Sequence, residues 1–189
     1  EKALYMAVTG RPGPVWLDIP LDVQGAVIET ENLRAYDPAE NPEQKPQEIP
    51  QKTIEKILDK IEESHRPVLS PGNGVRLAGA IGEFHELAEL LGVPVVTGMS
   101  SVDAMESDHP YFAGRSGGTG TRAGNFALQN SDVLLSIGNR QGFTQTGFQY
   151  QDWARESYTI LNDIDENELK KPSLHVSLPV VGDAGELIR

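Results

Sequence analysis

Cysteine is absent from the 189 residues, which excludes a disulfide framework, a thiolate metal site and a cysteine nucleophile. A cytoplasmic setting is the expectation for such a chain. Long apolar runs are missing as well. None approaches the ~20 residues that a membrane-spanning helix needs, and no signal-peptide pattern opens the chain. Positive charge is scarce: 16 Lys and Arg stand against 28 Asp and Glu, for a net charge of −12. That excess repels phosphate backbones and anionic lipid surfaces, so neither nucleic acid nor membrane is expected as a partner. An initiator Met is also lacking, and Glu1-Lys2-Ala3-Leu4 reads as a cut into a longer chain.

What is present is ordinary for a soluble globular protein, with 38% hydrophobic and 23% charged residues. At ~150 residues per domain the length allows one domain and an appendage. The appendage comes first. Ala3 to Val8 has a short helical pattern, Gly10-Arg11-Pro12-Gly13-Pro14 makes a turn, and Val15-Trp16-Leu17-Asp18-Ile19 reads as a strand. From Gly25 to Pro50 prolines recur at 38, 42, 46 and 50 among acidic residues. Proline at that density blocks helix, and the acids keep the segment solvated, so 25–50 is assigned as a linker.

Residues 51–189 alternate helix and strand. Ile54, Ile57, Leu58 and Ile61 form one helical stripe, and Leu77, Ile81, Phe84, Ala88 and Leu91 a second, with Gly92 as its C-terminal cap. Short apolar runs at Val68–Ser70, Val93–Thr97, Val133–Gly138, Tyr158–Leu161 and Val176–Val181 read as buried strands. Thr121 to Asn130 and Glu166 to Lys171 read as further helices, and Gly98–Gly120 and Asn139–Glu156 as loops. The expected fold is α/β, an open Rossmann-like parallel sheet of five or six strands with helices on both faces. Its crossovers would bring the loops Pro71–Val75, Gly98–Gly120, Gly138–Gly147 and Asp163–Asn167 to one edge.

Several motifs at that edge could carry chemistry. Gly72-Asn73-Gly74 lies between a strand and a helix, where backbone N–H groups can approach a phosphate. A third glycine is missing, since Leu77 takes its place, so the motif is equally a tight turn without a ligand. Asp163 and Asp165 follow a strand, where an acid can accept from ribose hydroxyls or simply start a helix. Arg140 is placed either to meet a diphosphate or to lie in solvent. Gly114-Arg115-Ser116-Gly117-Gly118 matches a nucleophile elbow, with Asp163 and His175 following in hydrolase order. The residues before Ser116 do not read as the strand an elbow requires, and a glycine-rich loop is the better account. His65, His85, His109 and His175 show no metal-ligand spacing, so no metal site is expected.

Together these segments resemble a known family. GRPGPVWLDIPLDVQ at 10–24 is similar to the end of the pyrimidine-binding domain of acetohydroxyacid (acetolactate) synthases and their thiamine-diphosphate-dependent relatives. PVLSPGNG, VPVVTG, GTGTRAGNFALQNSDVLLSIGNR, DIDENEL and LPVVGDAGELI resemble that family's middle domain, in order. The resemblance implies that 1–24 is a remnant of the pyrimidine-binding domain and 51–189 the central domain, excised from a larger enzyme. In such enzymes thiamine diphosphate and magnesium support decarboxylation of a 2-keto acid and transfer of the product to an acceptor. Acetolactate synthesis for branched-chain amino acids is the family default.

The chain lacks the family's early glutamate and its GDG…N magnesium motif, because Gly182-Asp183 is followed by Ala184. Catalytic residues are therefore expected elsewhere, on the pyrimidine- and diphosphate-binding domains of the same chain, within a homo-oligomer. The family's middle domain holds FAD in a structural role. Its matching positions are Gly72, Gly74, Thr97, Gly138, Arg140, Asp163 with Ile164, and Gly182 with Asp183. The stretch after the arginine departs from the family's FDDRVTG, reading Gln141-Gly142-Phe143-Thr144-Gln145-Thr146-Gly147, and so loses an acid and a second arginine. Gly118 and Thr119 stand where methionine and histidine are usual. A lost guanidinium removes charge-assisted bonds worth ~1.5–3 kcal/mol each, one to two decades of affinity. FAD, another nucleotide and an empty cleft all remain open, as do an autonomous NAD- or FAD-binding module and an interaction scaffold.

Overall fold

The computed structural model describes residues 1–41 and 47–189. The chain divides into two units, 1–45 and 46–189, a boundary that falls inside the proline-rich segment. Prolines 42 and 46 of that segment lie outside the described residues.

In the first unit, α1 (Lys2–Val8) ends where Gly10 takes a left-handed φ of 62°, and α2 is a single turn, Leu21–Gln24. Tyr36 returns to α1: its ring lies 5.5 Å from that of Tyr5, and its N–H donates to Glu1 Oε2. The expected strand Val15–Ile19 does not form. Residues 12–20 are irregular, and Trp16 is 91% exposed. An apolar run becomes a strand only when a partner supplies the other half of the hydrogen-bond ladder, and the main sheet does not include it. The segment 25–41 holds two single 3-10 turns, Thr30–Asn32 and Pro38–Glu40, the second started by the Asp37 carboxylate accepting from the N–H of Ala39.

The second unit opens with α3 (Gln51–Glu62) and then carries a parallel sheet of six strands: β1 (Pro67–Pro71), β2 (Val95–Thr97), β3 (Phe112–Arg115), β4 (Val133–Ile137), β5 (Tyr158–Asp163) and β6 (Leu178–Val181). Their order is β3-β2-β1-β4-β5-β6, all pairs parallel. This is the open sheet that the alternating pattern implied. The intervening helices are α4 (Asn73–Leu77), α5 (Ile81–Leu91), α6 (Arg122–Gln129), α7 (Phe143–Thr146), α8 (Glu166–Lys170) and α9 (Ala184–Ile188). Period-two alternation divides each strand between the faces. Leu69, Val95, Leu135 and Ile137 pack with Ile57, Val75, Phe84, Ala88 and Ile188 on one side. Val68, Val96 and Leu134 pack with Leu128 and Trp153 on the other.

Three local readings are corrected. The helix expected to run on from Leu77 is two helices, because Gly79 adopts a left-handed φ of 65° between them. Leu77 is consequently exposed, and Val75 and Ala80 take its place in the core. Leu58 likewise faces outward at 48% exposure, leaving Ile57 as the buried member of its stripe. The loop expected at 98–120 contains β3, an edge strand whose register with β2 shifts between Val95 and Val96. Its sequence, Phe-Ala-Gly-Arg, has little of the β-branched character that marks a strand. At C-cap position 92, glycine adopts the expected left-handed φ, 63°.

Candidate functional site

The strand order reverses between β1 and β4, since the chain proceeds from β1 outward through β2 and β3, then returns to β4 and proceeds the other way. Open α/β sheets bind their ligands in the crevice at that point, outside the carboxyl ends of the strands. Gly72, Gly74 and Gly138 meet there. The N–H of Gly72 donates to Ile137 O at 2.8 Å, and that of Gly74 to Gly138 O at 2.9 Å. A β-carbon on Gly72 would stand 2.2 Å from Gly138 O, and one on Gly74 2.7 Å from Gly138 Cα. Glycine is required because two backbones touch. Two of the turn's N–H groups, those of Gly72 and Gly74, thus donate to carbonyls of the chain itself.

Just below, Ser70 and Ser136 are register partners, fully buried, on the face that carries Val68 and Leu134. Asn139 Nδ2 donates to Ser70 Oγ at 3.2 Å. Gln141 is 2% exposed with a left-handed φ of 50°, unusual for a residue bearing a side chain. That turn sends its amide down onto the serines: Nε2 donates to Ser136 Oγ at 3.0 Å and reaches Ser70 Oγ at 3.5 Å. Lys171 Nζ donates to the carbonyls of Arg140 and Gln141 from the other side. Farther along, Gln145 Nε2 donates to Ser116 Oγ at 3.0 Å, and the N–H of Gly118 to Thr144 O at 3.1 Å. Residues 139–147 therefore run across the carboxyl ends of β1, β2 and β4 and onto the loop that follows β3. The expected convergence of loops is present. Beside this segment lies a cavity of about 560 Å³ whose lining includes Met99, Ser100, Arg140, Phe143, Tyr150 and Lys171.

The other nominated residues take distinct places. Arg140 lines the cavity, and its largely exposed guanidinium pairs with Glu168 at 2.8 Å. Glu168 in turn pairs with Lys171 at 3.1 Å, so these three charges form one chain. Thr97 is fully buried, and its Oγ1 lacks a hydrogen-bond partner. Asp163, 6% exposed, accepts from the N–H of Asp165 at 3.0 Å, and Ile164 is half-buried beside it. Asp165 caps α8 by accepting from the N–H of Asn167, the helix-start role that the sequence left open. Asp183 does the same for α9, accepting from Gly185 and Glu186. Gly182 lies away from the crevice, where a β-carbon would stand 2.5 Å from Ile49.

Ser116 does follow a strand, contrary to the sequence reading, because β3 leads into it. It is nevertheless no nucleophile elbow. Its hydroxyl is buried and bonded to the Gln145 amide, and no helix starts until Arg122. Among the described residues, no group of three or more His, Asp or Glu could hold a metal ion. Sequence reasoning missed Gln145 and Lys171. Lys171 carried a signal in its i,i+3 spacing from Glu168, whereas Gln145 carried none.

Comparison with known proteins adds the identity of this arrangement. The family described as thiamine pyrophosphate enzyme, central domain, matches residues 54–189. The whole chain is 38% identical over 197 residues to a probable acetolactate synthase large subunit of Methanocaldococcus jannaschii, of which it covers 32%. An acetolactate synthase large subunit of Corynebacterium glutamicum is 36% identical over 99% of the chain, which covers 29% of that protein. The large subunit of Escherichia coli acetolactate synthase isozyme 2 is 32% identical over 99% of the chain, which covers 33% of it. The chain thus spans about a third of the length of the curated relatives it matches. The six-stranded sheet with its switch-point crevice is accordingly a central domain, and the chain belongs to the thiamine pyrophosphate enzyme family.

Proposed function

We propose that this chain is the central part of an enzyme that decarboxylates a 2-keto acid and joins the product to an acceptor, with acetolactate synthesis from pyruvate as its reaction. The observation that carries the reading is the match to acetolactate synthase large subunits along the whole chain, the opening 1–45 unit included. An autonomous nucleotide-binding module or a scaffold would give no reason for that unit to accompany the sheet. Thiamine diphosphate would supply the electron sink for decarboxylation. The chain would supply its setting: a parallel sheet, a crevice crossed by 139–147 and the charge chain Arg140–Glu168–Lys171 beside a cavity. The catalytic groups, the magnesium site and the second copy of the enzyme are assigned to the rest of the gene product and its oligomer. Its compartment is assigned as the cytoplasm; no described helix is long and apolar enough to cross a membrane.

The test is to purify the complete gene product and follow acetolactate formation from pyruvate with thiamine diphosphate and magnesium added or withheld. The reading predicts product only when both are present. Absence of product from pyruvate and from 2-oxobutyrate under those conditions would overturn it.

A further inference from the structure

We infer that residues 139–147 are a built-in plug that takes the place of a flavin nucleotide at the switch-point crevice, so that the enzyme proposed above works without FAD. The inference rests on the family reading, which is what brings FAD into question. A dinucleotide lying across the strand ends needs free backbone N–H groups at the glycine turn and open space above the flanking glycines. The first is met only at Asn73, whose N–H has no carbonyl partner among the described residues, and the second fails at Gly98 and Gly117.

The N–H groups of Gly72 and Gly74 are held by Ile137 and Gly138. The space above Gly98 holds the Gln145 amide, whose Nε2 would lie 2.2 Å from a β-carbon there. The space above Gly117 holds Thr144, whose carbonyl oxygen would be 2.6 Å from one. The positions where the resemblance calls for charged flavin contacts carry Gly, Phe and Thr at 142–144 instead. The segment is also anchored at each end of its course: Gln141 on Ser136, Lys171 on the carbonyls of Arg140 and Gln141, Gln145 on Ser116, and Gly118 on Thr144. Thr97 Oγ1 and Gln141 Oε1 lack partners, yet both are sealed from solvent, so neither offers a contact to a ligand in the crevice. FAD does not fit the residues present.

The experiment uses the complete gene product. Flavin released on denaturation is quantified by fluorescence, and FAD is titrated into the native protein while its fluorescence quenching is followed. Amide hydrogen exchange is measured in parallel on the wild type and on Gln145→Ala. The plug predicts no stoichiometric flavin and no saturable quenching up to about 1 mM. It also predicts that the Gly118 amide is protected in the wild type and exchanges at least tenfold faster in Gln145→Ala. Stoichiometric or saturable FAD binding overturns the inference, as does a Gly118 amide that exchanges at the unprotected rate in the wild type. The failures are separable. A protein that forms no acetolactate but has a protected, flavin-free crevice refutes the proposed reaction and leaves the plug standing. An active protein that binds FAD does the reverse.

Discussion

A β-carbon on Gly138 would stand 2.8 Å from the α-carbon of Gly74, and Gly138 itself has a left-handed φ of 55°. Two independent constraints therefore coincide at one residue. Gly138→Ala adds an unfavourable backbone conformation, worth about 1–2 kcal/mol, to an overlap between main chains that no side-chain rotation relieves. The substitution should destabilise by more than about 2 kcal/mol, and thermal unfolding of the variant measures it. Gly92→Ala is the control. Its φ is 63°, but the nearest atom to an added β-carbon is Tyr111 Oη at 3.8 Å. Only the conformational part remains there, about 1 kcal/mol, or a fall of about 2–4 °C.

Gly98 differs from both because its obstacle is the mobile end of a side chain, Gln145. Gly98→Ala should expel that amide and break its bond to Ser116, at about 0.5–1.5 kcal/mol. In Gly98→Ala with Gln145→Ala the two losses overlap, so a double-mutant cycle should give a combined effect smaller than the two single effects together. Simple additivity would mean that the amide does not occupy the space over Gly98.

Asp132 ties the start of β4 to the start of β1 by accepting from the N–H groups of His65 and Arg66, each at 2.8 Å. Burial raises its carboxyl pKa, but those two bonds and the Arg66 charge lower it further, leaving it below the ordinary carboxylate value. A group depressed in the folded state adds stability above its unfolded pKa, near 4, and loses it as pH falls through the lower folded value. Asp132→Asn should therefore cost about 1–2 kcal/mol at neutral pH, and the gap to the wild type should close below about pH 4. Denaturant unfolding at several pH values checks it.

The sheet was legible because β1, β4 and β5 are buried along most of their length around apolar centres, Val68-Leu69, Val133-Leu134-Leu135 and Ile160-Leu161. β3 was not, since an edge strand of Phe112-Ala113-Gly114-Arg115 needs little hydrophobicity and gains its place from β2. Val15–Ile19 misled for the opposite reason: it has strand composition and no partner among the main strands. At the site, glycine spacing marked where backbones meet. Gly72 and Gly74 met the carbonyls of Ile137 and Gly138 at the end of β4 rather than a phosphate, and the chain beyond, 139–147, crosses the crevice along a path of its own. That path turns on a left-handed Gln141 and on an amide reaching from Gln145 to Ser116, neither of which leaves a periodic trace.

As the central domain of a thiamine pyrophosphate enzyme, this chain is expected not to bind thiamine diphosphate by itself. Thermal unfolding with and without thiamine diphosphate and magnesium, run on residues 1–189 alone and on the complete gene product, tests it most directly. Ligand at about 100 times Kd stabilises a binding-competent protein by about 2.7 kcal/mol. Tm should rise clearly for the complete protein and not at all for residues 1–189; a rise for residues 1–189 alone, or no rise for either, would show that the thiamine site is not where it is placed here.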